Sequence, residues 1–432
     1  MCGAADRKDK HVSNAEPVAG TATPAHRLRR MVGRDPHQEN RAATPLELLF
    51  DLTFVVAFGI AASQFAHLLA EDHVAAGLTG FAFATFAICW AWINFSWFAS
   101  AFDTDDWIYR LMTMLQMVGV IILALGLPQM FASIEHGGHV DNAVLVAGYI
   151  VMRIALVGQW LRAASADPAR RQACLTYAAA VTVAQIGWAA QIFVQTSVAV
   201  FFLCTVVLIA VELSGPFIAE RRMGGTPWHV HHIVERYGLL AIIALGEGVV
   251  GTVASISAAV EIQGWSTDAV LVAVAGTGLT FGMWWVYFLV PHADLLHADR
   301  GTSFWFGYLH IPVFGAIVAT GAGLHAAAYY IEHHSELGAA PTVATVAVPV
   351  AIYLVGLYAI YGLVARTWDL FHGALAAGAL AVLAVAVWLA MTDVPMAVCL
   401  LAVTLAPVVV VVGYEVTGHR RMPVAARTAG EA

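Results

Sequence analysis

Eight polar residues set among apolar ones are the chemistry this chain offers. Glu47 and Asp51 stand one helical turn apart in the run Thr44-Pro45-Leu46-Glu47-Leu48-Leu49-Phe50-Asp51-Leu52-Thr53-Phe54-Val55-Val56-Ala57. Glu235 and Arg236 open a later apolar run. Glu247 follows Arg236 by eleven residues, close to three helical turns, so both project from one face. Arg153 falls near the centre of another apolar run, and Gln116 and His310 lie inside two more. Carboxylates at such positions serve proton relays and ion sites, with arginines as counter-ions.

Each residue also has a purely structural role open to it. Thr44-x-x-Glu47 with Pro45 at the first helical position is a capping-box pattern, which leaves Glu47 a cap, a site residue or both. Asp51 lies a turn deeper, where no cap explains it. Arg153 and Glu247 would each be costly alone, so the expectation is that they pair or face one polar cavity; separate partners are the alternative. His231 with Glu235 and His232 with Arg236 are spaced as helical neighbours. A metal site needs three or more converging ligands. A helix start at the interface fits these residues better, and no metal or cofactor is expected.

The elements that must hold these residues follow from composition. The chain has 432 residues, 60% hydrophobic and 12% charged, against about 25% charged in soluble domains. Twelve apolar runs are long enough to span a bilayer, at about 46–69, 76–99, 109–132, 142–164, 174–194, 197–218, 233–258, 267–290, 304–328, 342–365, 371–391 and 395–415. With the N-terminus inside, Arg162, Arg170, Arg171, Arg221, Arg222, Arg300 and Arg366 all fall in inner loops. The outer loops hold no Lys or Arg, only acids and histidines such as Glu71, His73, Glu135, His333 and His334. This asymmetry predicts an all-α polytopic bundle with both termini cytoplasmic. Residues 1–43 read as a disordered basic tail that anchors topology, and 419–432 as a second tail. No apolar core precedes residue 44, so the first span must act as the insertion signal. Cys2, Cys89, Cys174, Cys204 and Cys399 show no paired spacing.

The order of features repeats. Acids open spans one and seven. Trp90 and Trp92 close span two, and Trp284 and Trp285 close span eight. Gln116 stands in span three and His310 in span nine; Glu212 precedes Arg221-Arg222, and Glu415 precedes Arg420-Arg421. The expectation is two six-helix repeats, 44–222 and 223–418, in parallel orientation.

The Thr44–Ala57 run and a second one, Glu235-Arg236-Tyr237-Gly238-Leu239-Leu240-Ala241-Ile242-Ile243-Ala244-Leu245-Gly246-Glu247, resemble the two hallmarks of the bacterial low-temperature-requirement A (LtrA) family over roughly residues 40–415. The resemblance marks Glu47, Asp51, Glu235, Arg236, Gly238, Gly246 and Glu247 as hallmark positions. It implies a link to growth at low temperature and assigns no molecular activity. Leu49–Ala57 is also similar to the first helix of certain six-helix-repeat potassium channels, with Phe50 where those have Ser.

The function expected is secondary transport of a small ion or solute, coupled to or gated by protons, in the bacterial inner membrane. A cation channel and a non-transporting envelope protein are the alternatives. The partners expected are the lipid bilayer and that ion or solute, without nucleic acid; oligomerisation stays open. There is no phosphate loop, nucleophile elbow, HExxH or intramembrane Lys, so an enzyme is not indicated.

Overall fold

Proline at the first turn and threonine before it start the first helix as their chemistry requires. The Thr44 hydroxyl accepts from Glu47 N at 3.3 Å, and the Glu47 carboxylate accepts from Thr44 N at 2.8 Å. The computed structural model describes residues 28–39, 41–194 and 196–417. Its helices are α1 (Pro45–Ala70), α2 (Val74–Phe102), α3 (Trp107–His136), α4 (Ala143–Ala166), α5 (Arg171–Phe193), α6 (Val198–Arg222), α7 (Val230–Gln263), α8 (Thr267–Leu289), α9 (His292–Ala298), α10 (Ser303–Ile331), α11 (Ala339–Ala365), α12 (Leu370–Ala390) and α13 (Met396–Thr417). Among the described residues there is no strand, and twelve helices are long and apolar enough to cross a membrane. Each matches one expected run to within a few residues. The short α9 fills what the sequence reads as a loop. Lipid leaves backbone groups no partner but one another, so long apolar runs have little choice but helix.

The helices differ in how deep they lie. α10 is the most buried span, and α6 and α12 are the least buried. α10 touches α1, α2, α7 and α11, and α1 touches α2, α3, α7 and α10. Close approach in this centre depends on glycine: a Cβ at Gly321 of α10 would come within 2.5 Å of the Glu247 carbonyl of α7. The loops segregate by charge. At one end Arg162 pairs with Asp106, Arg366 with Asp299 at 2.7 Å, and Arg170 reaches the Gly224 carbonyl at 2.8 Å. At the other, His73 meets Glu135 at 2.7 Å.

The expected free tail does not extend to residue 43. Residues 28–39 and 41–43 lie as a strap across the arginine-rich end, with Met31 fully buried. Arg29 N donates to Asp106 at 3.1 Å, Gly33 N to Asp167 at 2.9 Å, and Arg34 N to the Ala101 carbonyl at 2.9 Å. Basic composition resembles a tail, but here aspartates from distant loops hold it. Residues 1–27 and 419–432 lie outside the described residues.

Asp103 makes the strap pH-sensitive. Its carboxylate is buried and lies 3.3 Å from Arg34. Burial, and then the charge of Glu47, push the carboxyl up to about 6 against the pull of Arg34 and Arg41. A strap lifted away would return Asp103 to about 3.9. The closed strap therefore binds the proton more tightly. Its extra stability is fully present below about pH 4 and is lost as pH rises through about 6. Amide exchange over residues 28–43, corrected for intrinsic rates, should be about 10-fold slower at pH 5 than at pH 7.5. Asp103→Asn should flatten that difference; equal protection in the native chain at both pH values would refute the assignment.

Candidate functional site

Two clusters of charge and one isolated carboxylate lie inside the helices. The first joins α1, α2 and α7. Asp51 lies six residues past Pro45, ~9 Å into α1. Arg236 enters at matching depth from α7, and its Nη2 meets Asp51 Oδ1 at 2.6 Å. Trp92 Nε1 of α2 donates to the same oxygen at 2.6 Å. Arg236 Nη1 stands 3.1 Å from Glu47 Oε1, as does His232 Nε2, while Glu47 Oε2 closes the cap with Thr44. Glu47 thus closes the cap with one oxygen and pairs with Arg236 through the other. Ser96 accepts from Arg236 Nη2 at 3.2 Å, and the guanidinium lies 5.5 Å from the Trp92 ring centroid. Glu47, Asp51, His232 and Arg236 are all fully buried. With His232 neutral, two carboxylates face one guanidinium, and a single proton or cation completes the balance.

The second cluster corrects an expectation. Arg153 of α4 does not pair with Glu247 or with Asp51. Its Nη2 lies 3.2 Å from Glu212 of α6. Tyr149 donates to Glu212 Oε2 at 3.0 Å, and Trp188 Nε1 to Oε1 at 2.8 Å. Trp90 Nε1 also donates to Oε2, Arg153 donates to the Tyr149 hydroxyl, and its guanidinium sits 4.4 Å from the Tyr149 ring centroid. α4 packs on α3 and α5, which turns Arg153 toward α6, whereas α7 packs on α1 and α10.

Glu247 stands apart from both. It lies seventeen residues from Val230 and sixteen from Gln263, ~25 Å from either end of α7. It is 6% exposed, and among the described residues its carboxylate makes no hydrogen bond or ion pair. Glycine makes room for it: a Cβ at Gly59 of α1 would come 3.2 Å from its Oε1.

The remaining expected residues serve elsewhere. Gln116 Nε2 donates to Gln159 at 2.8 Å, tying α3 to α4. His310 meets the Tyr287 hydroxyl at 3.1 Å and the Phe306 carbonyl at 2.6 Å. Glu235 leaves the cluster and accepts from Ala43 N of the strap at 3.1 Å. For a metal, Glu71, His73 and Glu135 bring three donor atoms within 4.8 Å of one another, with His73 exposed.

The sequence profile described as Bacterial low temperature requirement A protein (LtrA) matches residues 42–407, a span that holds both clusters and Glu247. The chain belongs to the LtrA family. It is a multi-pass helical membrane protein of that bacterial family. An uncharacterized protein of Rhizobium meliloti (strain 1021) is 25% identical over 347 residues, 77% of this chain and 79% of that one. No solved structure matches. Within the LtrA span, sequence reasoning missed Glu212 as a site residue. The signal was there: an acid in an apolar run, set two helices away from an arginine with no other obvious partner.

Proposed function

We propose that this LtrA protein is a proton-coupled secondary transporter of a small ion or solute in the bacterial cytoplasmic membrane, with its arginine-rich end inside. Glu247 carries the reading. Ionised Asp, Lys or Arg at a helix centre costs roughly 2.5–3.5 kcal/mol, and among the described residues no counter-charge offsets a charge on Glu247. The other buried carboxylates are held in ion pairs; this one is free to exchange a proton for a cation or a polar solute group. Glu47, Asp51 and Arg236 then act as the lock between the helices around it.

The packing supports two six-helix repeats, 44–222 and 223–418. In the first, α1 packs on α3, α3 on α4, α4 on α5 and α5 on α6; in the second, α7 packs on α10, α10 on α11, α11 on α12 and α12 on α13. Trp90 donates to Glu212, and Trp285 Nε1 donates to Glu415 at 3.4 Å, so the tryptophans and acids that repeat in sequence also meet in space.

The test is flux in proteoliposomes loaded with a pH-sensitive dye and screened against alkali cations, divalent cations and small solutes. Native protein should move protons together with one of them. Glu247→Gln should fold and lower that flux at least ~100-fold, since a neutral amide cannot exchange the proton. Full flux in Glu247→Gln, or uncoupled passive flux in the native protein, would overturn the reading.

A further inference from the structure

Beneath the strap lies an open cavity of about 660 Å³, lined by Arg41, His229, His231, Glu235 and His297 among others. Arg41 is its deepest charged group, only 6% exposed. Its Nη2 donates to the Ala99 carbonyl at 2.9 Å, whereas Nε and Nη1 have no hydrogen-bond partner among the described residues. The other two deeply buried arginines, Arg153 and Arg236, each hold a carboxylate at 3.2 Å or less. Arg41 forms no ion pair among the described residues. Burial, then the neighbouring Arg34, press its pKa downward against the pull of Glu47 and Asp103.

The other lining groups point to the same ligand charge. The N-terminus of α7 opens here, with His229 as its cap, so the positive end of a long helix dipole faces the cavity. His229 is already committed, since Nε2 meets the Gln38 carbonyl at 2.8 Å and Nδ1 accepts from His232 N at 3.2 Å. His231 and His297 are not; both are exposed, with ring centroids 5.3 Å apart. Of the two acids on the wall, Glu235 accepts from Ala43 N at 3.1 Å and Glu39 is exposed.

We propose that this cavity binds an oxyanion, a phosphate or carboxylate group, with Arg41 as the cationic anchor at its floor and His231 and His297 as donors at its mouth. A buried guanidinium with Nε–H and Nη1–H both unpartnered suits the oxygens and the negative charge of such a group. The group can arrive as a free ion or as the phosphate of an anionic lipid at the membrane surface. The inference is independent of transport, because binding is read without flux.

The experiment uses the full chain in nanodiscs, either all phosphatidylcholine or phosphatidylcholine with phosphatidylglycerol. Inorganic phosphate is titrated calorimetrically into the first against a chloride control, and lipid retained on the purified protein is read by native mass spectrometry from the second. Saturable phosphate binding in the neutral nanodiscs, weakened at least ~10-fold by Arg41→Gln, supports a soluble oxyanion. Retained phosphatidylglycerol without phosphate binding, lost in Arg41→Gln, supports a headgroup. Neither signal, or signals unchanged by Arg41→Gln, overturns the proposal. If Arg41→Gln does not fold, the pair His231→Asn with His297→Asn decides, since both residues are exposed. Several-fold weaker binding supports the site, and unchanged binding overturns it.

Discussion

Arg236→Met should leave almost no folded protein. The substitution keeps much of the side-chain volume and removes the one full positive charge that meets both Glu47 Oε1 and Asp51 Oδ1. Two fully buried carboxylates then face each other's field with only Trp92, Thr44 and a histidine for company. Breaking a buried ion pair by removing one partner costs about 3–5 kcal/mol, a large share of the 5–15 kcal/mol that holds a typical domain folded. The decisive control neutralises the whole cluster. Glu47→Gln with Asp51→Asn and Arg236→Met should recover most of the yield and melting temperature, because no bare charge remains. Gel filtration and thermal unfolding in detergent read both. Native-like melting of Arg236→Met alone would show that the charges are not coupled.

Removing Glu212 should damage the protein more than removing the arginine it pairs with. One carboxylate there receives Arg153, Tyr149, Trp90 and Trp188. Glu212→Ala takes the acceptor from all four donors and leaves Arg153, a cation inside an apolar bundle, with only the Tyr149 hydroxyl. Each buried unsatisfied group costs about 1–3 kcal/mol, more when charged, so a loss of about 5 kcal/mol or more is expected. Arg153→Met leaves the carboxylate with three neutral donors and should cost about half as much. Glu212→Gln should fall between, since its amide oxygen still accepts from one of the two tryptophans. Thermal unfolding of the three variants ranks them, and Arg153→Met as the most damaged would contradict the geometry.

Much of this was legible in the chain. The spans were, because a long apolar run in lipid has one good way to satisfy its backbone. An arginine counter-charge for Glu47 and Asp51 was legible too, with Arg236 and Arg153 both open to the part; Arg236 takes it because all three stand near helix starts and depth brings them level. Depth did not suffice for Arg153. Position along a helix says how far in a residue sits, not which neighbour it faces, and packing turned Arg153 to Glu212 and left Glu247 alone between α1 and α10. The strap was hidden for another reason. Its basic residues read as a solvated tail, and the aspartates that order it, Asp103, Asp106 and Asp167, come from loops after α2 and α4.

The Asp51–Arg236 pair also sets a schedule for making the protein. Its members are 185 residues apart, and α1 leaves the ribosome first. At roughly 5–20 residues per second, α1 waits about 10–40 s before α7 exists. During that interval two acids sit in a segment bound for lipid with no arginine to meet them. The insertion machinery must shelter α1 at the protein-conducting channel, or α1 must enter with its acids protonated, until the seventh span arrives. The ionised Asp51–Arg236 pair is therefore completed late in biogenesis, although α1 is translated six spans before α7.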